Sequence, residues 1–124
     1  MKTFLLCMLG LSIAACSPQK GANDHGNELA MLVGTYTNGS SRGIYTFGFD
    51  QETGRATALD STALPNPSFL IASADGTRVY AVSEMNDSTA ALSSLAFDRE
   101  TGELRLLNSE PTLSAGPCYI STNG

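Results

Sequence analysis

The chain has 124 residues, with 12 Asp and Glu against 7 Lys and Arg for a net charge of −5, one His and three Cys. An acidic balance without a basic cluster argues against nucleic acid as a partner. No Gly-rich phosphate loop in a strand–loop–helix setting, no metal-ligand cluster and no Ser/His/Asp arrangement is visible in the sequence, so neither a metal nor another cofactor is expected.

At the N-terminus, Lys2 supplies one positive charge, residues 4–15 form a short apolar run, and Ile13-Ala14-Ala15-Cys16 follows with Ser17 behind it. The run is shorter than the roughly 20 residues needed to span a hydrocarbon core, so it reads as a targeting segment and not as part of the fold. Small residues at 14 and 15 suit the narrow cleft of a signal peptidase. The pattern resembles the bacterial lipobox, in which the cysteine is acylated and becomes the new N-terminus. Residues 1–16 are therefore expected to be a lipoprotein signal ending at Cys16, the lipidation site. The mature protein would be exported and held by lipid on a bacterial membrane, periplasmic or surface-facing, because acyl chains at one cysteine give stable anchoring.

With Cys7 in the discarded run and Cys16 acylated, Cys118 stands alone, so no internal disulfide is expected and stability must come from packing. Cys118 lies between Pro117 and Tyr119 at the start of an expected strand and reads as a buried, inert thiol. Residues 17–28 are polar, Gly- and Asn-rich and without periodicity, the composition of a flexible tether. His25 lies within it, without a neighbour to orient it, and reads as solvated linker.

The globular part, 29–124, is read as strands throughout. Strands are expected at 30–37, 44–50 and 56–63, then at 68–74, 78–85, 90–98 and 103–112, with Asp75-Gly76 as a turn. The hairpin sequence FDQETG at 49–54 recurs as FDRETG at 97–102, a displacement of 48 residues, and residues 30–62 align on 78–110 without a gap. Asn38 matches Asn86, Ser40 matches Ser88, Leu59 matches Leu107 and Ser61 matches Ser109. In each hairpin the Asp can accept from backbone N–H groups just ahead of it, and the closing Gly takes the positive φ that other residues resist.

A period of roughly 40 to 50 residues suits either one four-stranded propeller blade or one helical pair of a solenoid. The alternation of Tyr45, Phe47 and Phe49 selects strands. Blade 1 is assigned to 30–62 and lacks an innermost strand, blade 2 to 67–112, and blade 3 begins at 116, where Gly116-Pro117-Cys118-Tyr119-Ile120 parallels Asn66-Pro67-Ser68-Phe69-Leu70. Because propeller rings close with about four to eight blades, the chain is expected to be the N-terminal part of a longer product.

The segments GTYTNGSSRGIYTFGFDQETG, PNPSFLIASADGTRVYAVSE, FDRETGELRLLNSEP and AGPCYIS resemble the opening of the bacterial lactonase family of seven-bladed β-propellers, the 6-phosphogluconolactonase type, related to a fungal muconate-lactonizing enzyme. The resemblance covers residues 30–124. It implies an all-β, seven-bladed propeller that hydrolyses a small-molecule sugar-acid lactone in its central channel, using His, Glu and Arg side chains that belong mostly to later blades. Glu84 stands where other blades of the family carry a channel-end Glu and is the candidate general base, since a Glu in a partly dry channel can be tuned toward neutrality. Tyr119 stands where the family's GP-x-His pattern has His, a departure that weakens a catalytic role for this blade. Tyr119 and Asn66 are the candidate substrate-binding residues, Asn66 also reading as the cap of a turn before Pro67. Two alternatives share the fold: a non-catalytic, membrane-anchored binding propeller, and a muconate-type lactonizing cycloisomerase.

The anchoring expectation is tested by Cys16→Ser in the complete polypeptide. The variant should lose the lipid from its intact mass and leave the detergent phase; an unchanged mass and partition would remove Cys16 as the lipidation site.

Overall fold

The computed structural model describes residues 28–123, all of it strand, turn or irregular backbone without a helix. The signal segment, Cys16, His25 and nearly all of the expected tether lie outside the described residues. Seven strands occur in the order β1 (Glu28–Gly34), β2 (Gly43–Asp50), β3 (Ala56–Ala63), β4 (Leu70–Ala72), β5 (Arg78–Ser83), β6 (Ala91–Phe97) and β7 (Leu104–Pro111). They make two antiparallel meanders, a three-stranded sheet β1-β2-β3 and a four-stranded sheet β4-β5-β6-β7.

Alternation along β2 explains how the sheets meet. Ile44, Thr46 and Gly48 point to one face and are buried, while Tyr45, Phe47 and Phe49 share the other and are half-buried. Ile44 is fully buried in a cluster with Leu64, Val79, Ala81, Leu95 and Leu104, against which Leu32, Leu70 and Phe97 pack. The core is therefore the seam between the two sheets, and each large aliphatic side chain buried there contributes roughly 1.5–3 kcal/mol. Two close approaches fix the seam's geometry. A Cβ on Gly34 would stand 1.9 Å from the Pro67 carbonyl oxygen, so only glycine lets β1 run this near the segment leading into β4. At the other end, Gly102 presses against Leu59, and Thr62 Oγ1 donates to the Leu104 carbonyl at 3.3 Å.

The repeat is reproduced atom for atom in the hairpins. Asp50 Oδ1 accepts from Glu52 N and Thr53 N at 2.8 and 3.1 Å, and Asp98 Oδ1 from Glu100 N and Thr101 N at 2.9 and 3.2 Å. Gly54 N and Gly102 N donate back to the Asp50 and Asp98 carbonyls at 2.9 and 2.8 Å, and the two glycines have φ of 72° and 79°. A bulge recurs as well. Thr46 pairs with Asp60 and Phe47 with Ala58, leaving Leu59 as the extra residue; Ser94 pairs with Asn108 and Leu95 with Leu106, leaving Leu107. Leu59 and Leu107 were matched by the sequence period, so their correspondence is a shared backbone defect as well as a shared residue type.

Several elements are shorter than the sequence suggests. The strand expected over 68–74 pairs only at Leu70–Ala72, because Pro65 and Pro67 lack the N–H a ladder needs and Asn66 sits at φ 40°. Pairing of β1 begins at Glu28, opposite Asp50, and ends at Gly34. Beyond it, Thr35 N and Thr35 Oγ1 both donate to the Gly43 carbonyl, at 3.0 and 2.8 Å. Cys118 is exposed, contrary to the buried thiol expected, because residues 116–123 extend without joining either sheet and no sheet face covers the thiol.

Two stability outcomes follow from the turns. Gly54 and Gly102 have the same backbone, yet a Cβ at Gly54 meets nothing within 4 Å while one at Gly102 would lie 2.7 Å from Leu59 Cβ. In the complete polypeptide Gly54→Ala should cost about 1–2 kcal/mol from the left-handed backbone alone, and Gly102→Ala about 2–5 kcal/mol once crowding is added. Urea midpoints compare the two; equal losses would mean that the second hairpin does not bear on the first sheet.

The second outcome concerns pH. Asp75 Oδ1 accepts from Ser73 Oγ at 2.6 Å and from Thr77 Oγ1 and Thr77 N at 2.8 and 3.0 Å, and these bonds pull its pKa from 3.8 to about 2. Asp50 and Asp98 are lowered chiefly by the Thr53 and Thr101 amides, and Asp87 by the Thr89 hydroxyl. A carboxylate whose folded pKa is depressed adds stability above its unfolded value and loses it as pH falls through the folded one. The urea midpoint should thus be flat above the ordinary carboxylate value of 3.8 and fall between there and about 2, with Asp75→Asn showing a shallower fall. A midpoint independent of pH across that window would show that the turn carboxylates do not matter to stability.

Candidate channel-rim site

Because β4 and β5 are antiparallel, the residues entering β4 and those leaving β5 lie at the same end of the second sheet. Residues following β1 reach this end too, and so does the segment after β7, whose Gly116 N donates to the Met85 carbonyl at 2.8 Å. The sequence-derived candidates Asn66, Glu84 and Tyr119 gather here, together with Tyr36, Ser68, Phe69 and Cys118.

Asn66 is the junction among them. Its left-handed backbone is one that Asn tolerates better than other non-glycine residues. Its side-chain Oδ1 accepts from Thr37 N and Thr37 Oγ1 at 2.8 and 3.0 Å. Its Nδ2 donates to the Glu84 carbonyl and to Met85 Sδ, each at 3.3 Å. The Asn66 carbonyl accepts from Ser68 N at 2.8 Å and from Glu84 N at 3.0 Å. Both ends of the amide are thus bonded to protein, tying the segment after β1 to the end of β5.

Glu84 is half-buried, with its backbone N and O both bonded to Asn66. Its Oε2 accepts from the Tyr36 hydroxyl at 3.0 Å. That bond, followed by desolvation and the negative charge of Glu84, raises the Tyr36 pKa above its ordinary 10.0, because ionising the phenol would set an anion against the carboxylate. Ser68 Oγ lies beside the phenol, buried and without a hydrogen-bond partner among the described residues. Tyr119 is 68% exposed and its ring is tilted 54° against Phe69, with centroids 4.8 Å apart.

Both contacts join positions that the repeats make equivalent. Tyr36 and Glu84 are separated by 48 residues, the period itself. Phe69 and Tyr119 hold the same place in the NPSF and GPCY segments, as do Ser68 and Cys118. Contact between equivalent positions of successive units is what a ring of blades about a common axis produces at its inner rim. Sequence reasoning did not single out Tyr36; the period that aligned the hairpins would have found it, as the counterpart of Glu84 one unit earlier.

A separate groove of about 280 Å³, lined by Asp87, Ser88, Ala90, Pro111, Leu113, Ser114 and Ala115, opens between the loops flanking the second sheet. Asp87, its one ionisable group, is engaged by Thr89 N at 2.8 Å and by the Thr89 hydroxyl, so this groove offers little chemistry. Among the described residues no three His, Cys, Asp or Glu side chains converge as a metal site would require.

A three-stranded and a four-stranded antiparallel meander set face to face, with equivalent positions meeting at one end, are the arrangement of successive blades of a β-propeller. Residues 30–124 match the family described as "Lactonase, 7-bladed beta-propeller", and the chain belongs to that family. It is 33% identical over 92 residues to 6-phosphogluconolactonase of Bacillus subtilis, a match covering 73% of this chain and 26% of that protein. Among solved structures, a candidate 6-phosphogluconolactonase from Bacteroides uniformis is 76% identical with a TM-score of 0.78, over 79% of this chain and 29% of that one. A second, from Bacteroides fragilis, is 52% identical with a TM-score of 0.80, over 84% and 29%. A periplasmic gluconolactonase of Pseudomonas aeruginosa is 33% identical with a TM-score of 0.67, over 71% and 26%. The chain thus spans little more than a quarter of the length of these relatives.

Proposed function

We propose that the complete propeller hydrolyses a sugar-acid lactone to the free acid at its channel rim, with Glu84 as the general base. The observation that carries this reading is the Glu84 carboxylate, half-buried at the rim and, among the described residues, bonded through one oxygen, in a chain whose relatives bear the names 6-phosphogluconolactonase and gluconolactonase. Glu84 takes a proton from water as the oxygen attacks the lactone carbonyl. The acyl–oxygen bond then breaks, and the ring oxygen leaves as a hydroxyl by taking that proton from Glu84, which restores the base. Donors to the developing oxyanion come from other blades in this reading. Tyr119, exposed beside Phe69, offers an aromatic surface to the substrate, and Asn66 acts by holding Glu84 in place.

Export through a lipid anchor at Cys16 belongs to the same proposal. Sugar phosphates are mainly cytosolic, so an exported enzyme fits an unphosphorylated lactone, in line with the Pseudomonas relative named as periplasmic.

The assay compares initial rates for gluconolactone and its 6-phosphate against buffer, since δ-lactones open spontaneously. The complete protein should accelerate at least one, and Glu84→Gln should reduce that rate by about 10²-fold or more, the scale for removing a general base. A two- or threefold loss would return Glu84 to a structural role. No acceleration of either lactone by the wild type would favour the non-catalytic binding propeller.

A further inference from the structure

We propose that Tyr36 is a positioning residue for Glu84: its phenol, supplied by the preceding blade, holds the carboxylate oriented with Oε1 directed to the reacting water. The inference rests on the reading of Glu84 as base and deepens it.

Three features carry it. First, the backbone on both sides of Tyr36 is pinned although the residue is 54% exposed. Thr35 on one side donates twice to the Gly43 carbonyl, and Thr37 on the other is bonded through both its amide and its hydroxyl to Asn66. A donor set between two fixed neighbours loses little freedom in making its bond, so the 3.0 Å contact to Oε2 is an orienting one. Second, the acceptor is fixed as well, because Glu84 N and O are both held by Asn66. The same amide therefore sets the backbone under both members of the pair. Third, Oε2 accepts the phenol while no hydrogen bond to Oε1 is formed among the described residues, so one oxygen is held and the other is left to accept a proton.

The phenol itself transfers no proton in this scheme. With its pKa raised it remains protonated through the neutral range, a permanent donor. The pair spans the blade junction, so the base is correctly set only when the two blades are packed together.

The test uses Tyr36→Phe in the complete protein, a change that keeps the ring and, at so exposed a position, should leave the thermal midpoint nearly unchanged. With gluconolactone as substrate, kcat should fall about 10-fold. KM should stay within about twofold, because the phenol orients the base and does not hold the substrate. A fall in kcat matched by a loss of thermal midpoint would make Tyr36 a packing residue, and an unchanged kcat would leave it without a role; either overturns the proposal. Ultraviolet titration of the phenols reads the pair without relying on activity. The transition missing from Tyr36→Phe should lie above that of an ordinary tyrosine in the wild type and drop toward it in Glu84→Gln. If the wild type proves inactive while this displacement is present, the lactonase reading fails but the pair stands; if the displacement is absent, the pairing itself is refuted.

Discussion

Everything at the rim depends on one amide. Asn66 sits between two prolines, in a backbone conformation few residues accept, and uses both ends of its side chain and its carbonyl to bind two separate strand ends. A half-buried amide left with unmet donors or acceptors would cost about 1–3 kcal/mol, so its satisfaction here is also a constraint: Thr37 and Glu84 cannot move independently. The nearby meeting of Gly34 with the Pro67 carbonyl works in the same direction, since a glycine is what permits the two segments to come close enough for the amide to bridge them. Local strain, close packing and hydrogen bonding are spent together at one junction.

The two ends of the sheet pair are stabilised by different physics. At the hairpin end, Asp50 and Asp98 satisfy their own turns, and the seam is made by Gly102 and Leu104 packing against Leu59 and Thr62. That end is self-contained and its carboxylates are consumed by local bonds. At the rim end, the backbone is irregular, and the polar groups of one unit are satisfied by the next. Glu84, Tyr36, Ser68 and Tyr119 keep capacity that is not used up by their own turn. The proposed site rests on this contrast between the two ends.

The repeats also explain why neighbours at the rim differ in chemistry. Blade packing demands similar side chains at Leu59 and Leu107, which occupy the same bulge, and at Asp50 and Asp98, which make the same turn. No such demand acts on the rim positions. One unit supplies Tyr36 where the next supplies Glu84, and Ser68 and Phe69 where the next supplies Cys118 and Tyr119. Divergence at equivalent places turns a repeat into a donor facing an acceptor.

How much could be read without a structure differs by element. The strands, the hairpins and their period were legible because strand alternation and turn chemistry are local, and because a repeat states the same local rule twice. The propeller class followed from that and from the family's motifs. Glu84 was singled out by the family resemblance, but its hydrogen-bond partner was not, since a residue 48 positions away becomes a neighbour only when two sheets pack. The part played by Asn66 was half legible: a cap before Pro67 is a local inference, whereas its bonds to Thr37 and Met85 join segments that local rules leave unconnected. For Cys118, sequence pattern suggested burial and the fold left the thiol exposed, because burial is decided by what packs against a segment and not by the segment's own composition. Local conformation was thus determined by the sequence read along the chain, through backbone sterics and turn hydrogen bonds. Which side chains meet, which carboxylate is held and which is free were decided only by tertiary packing, because those interactions act across space between residues far apart in the chain.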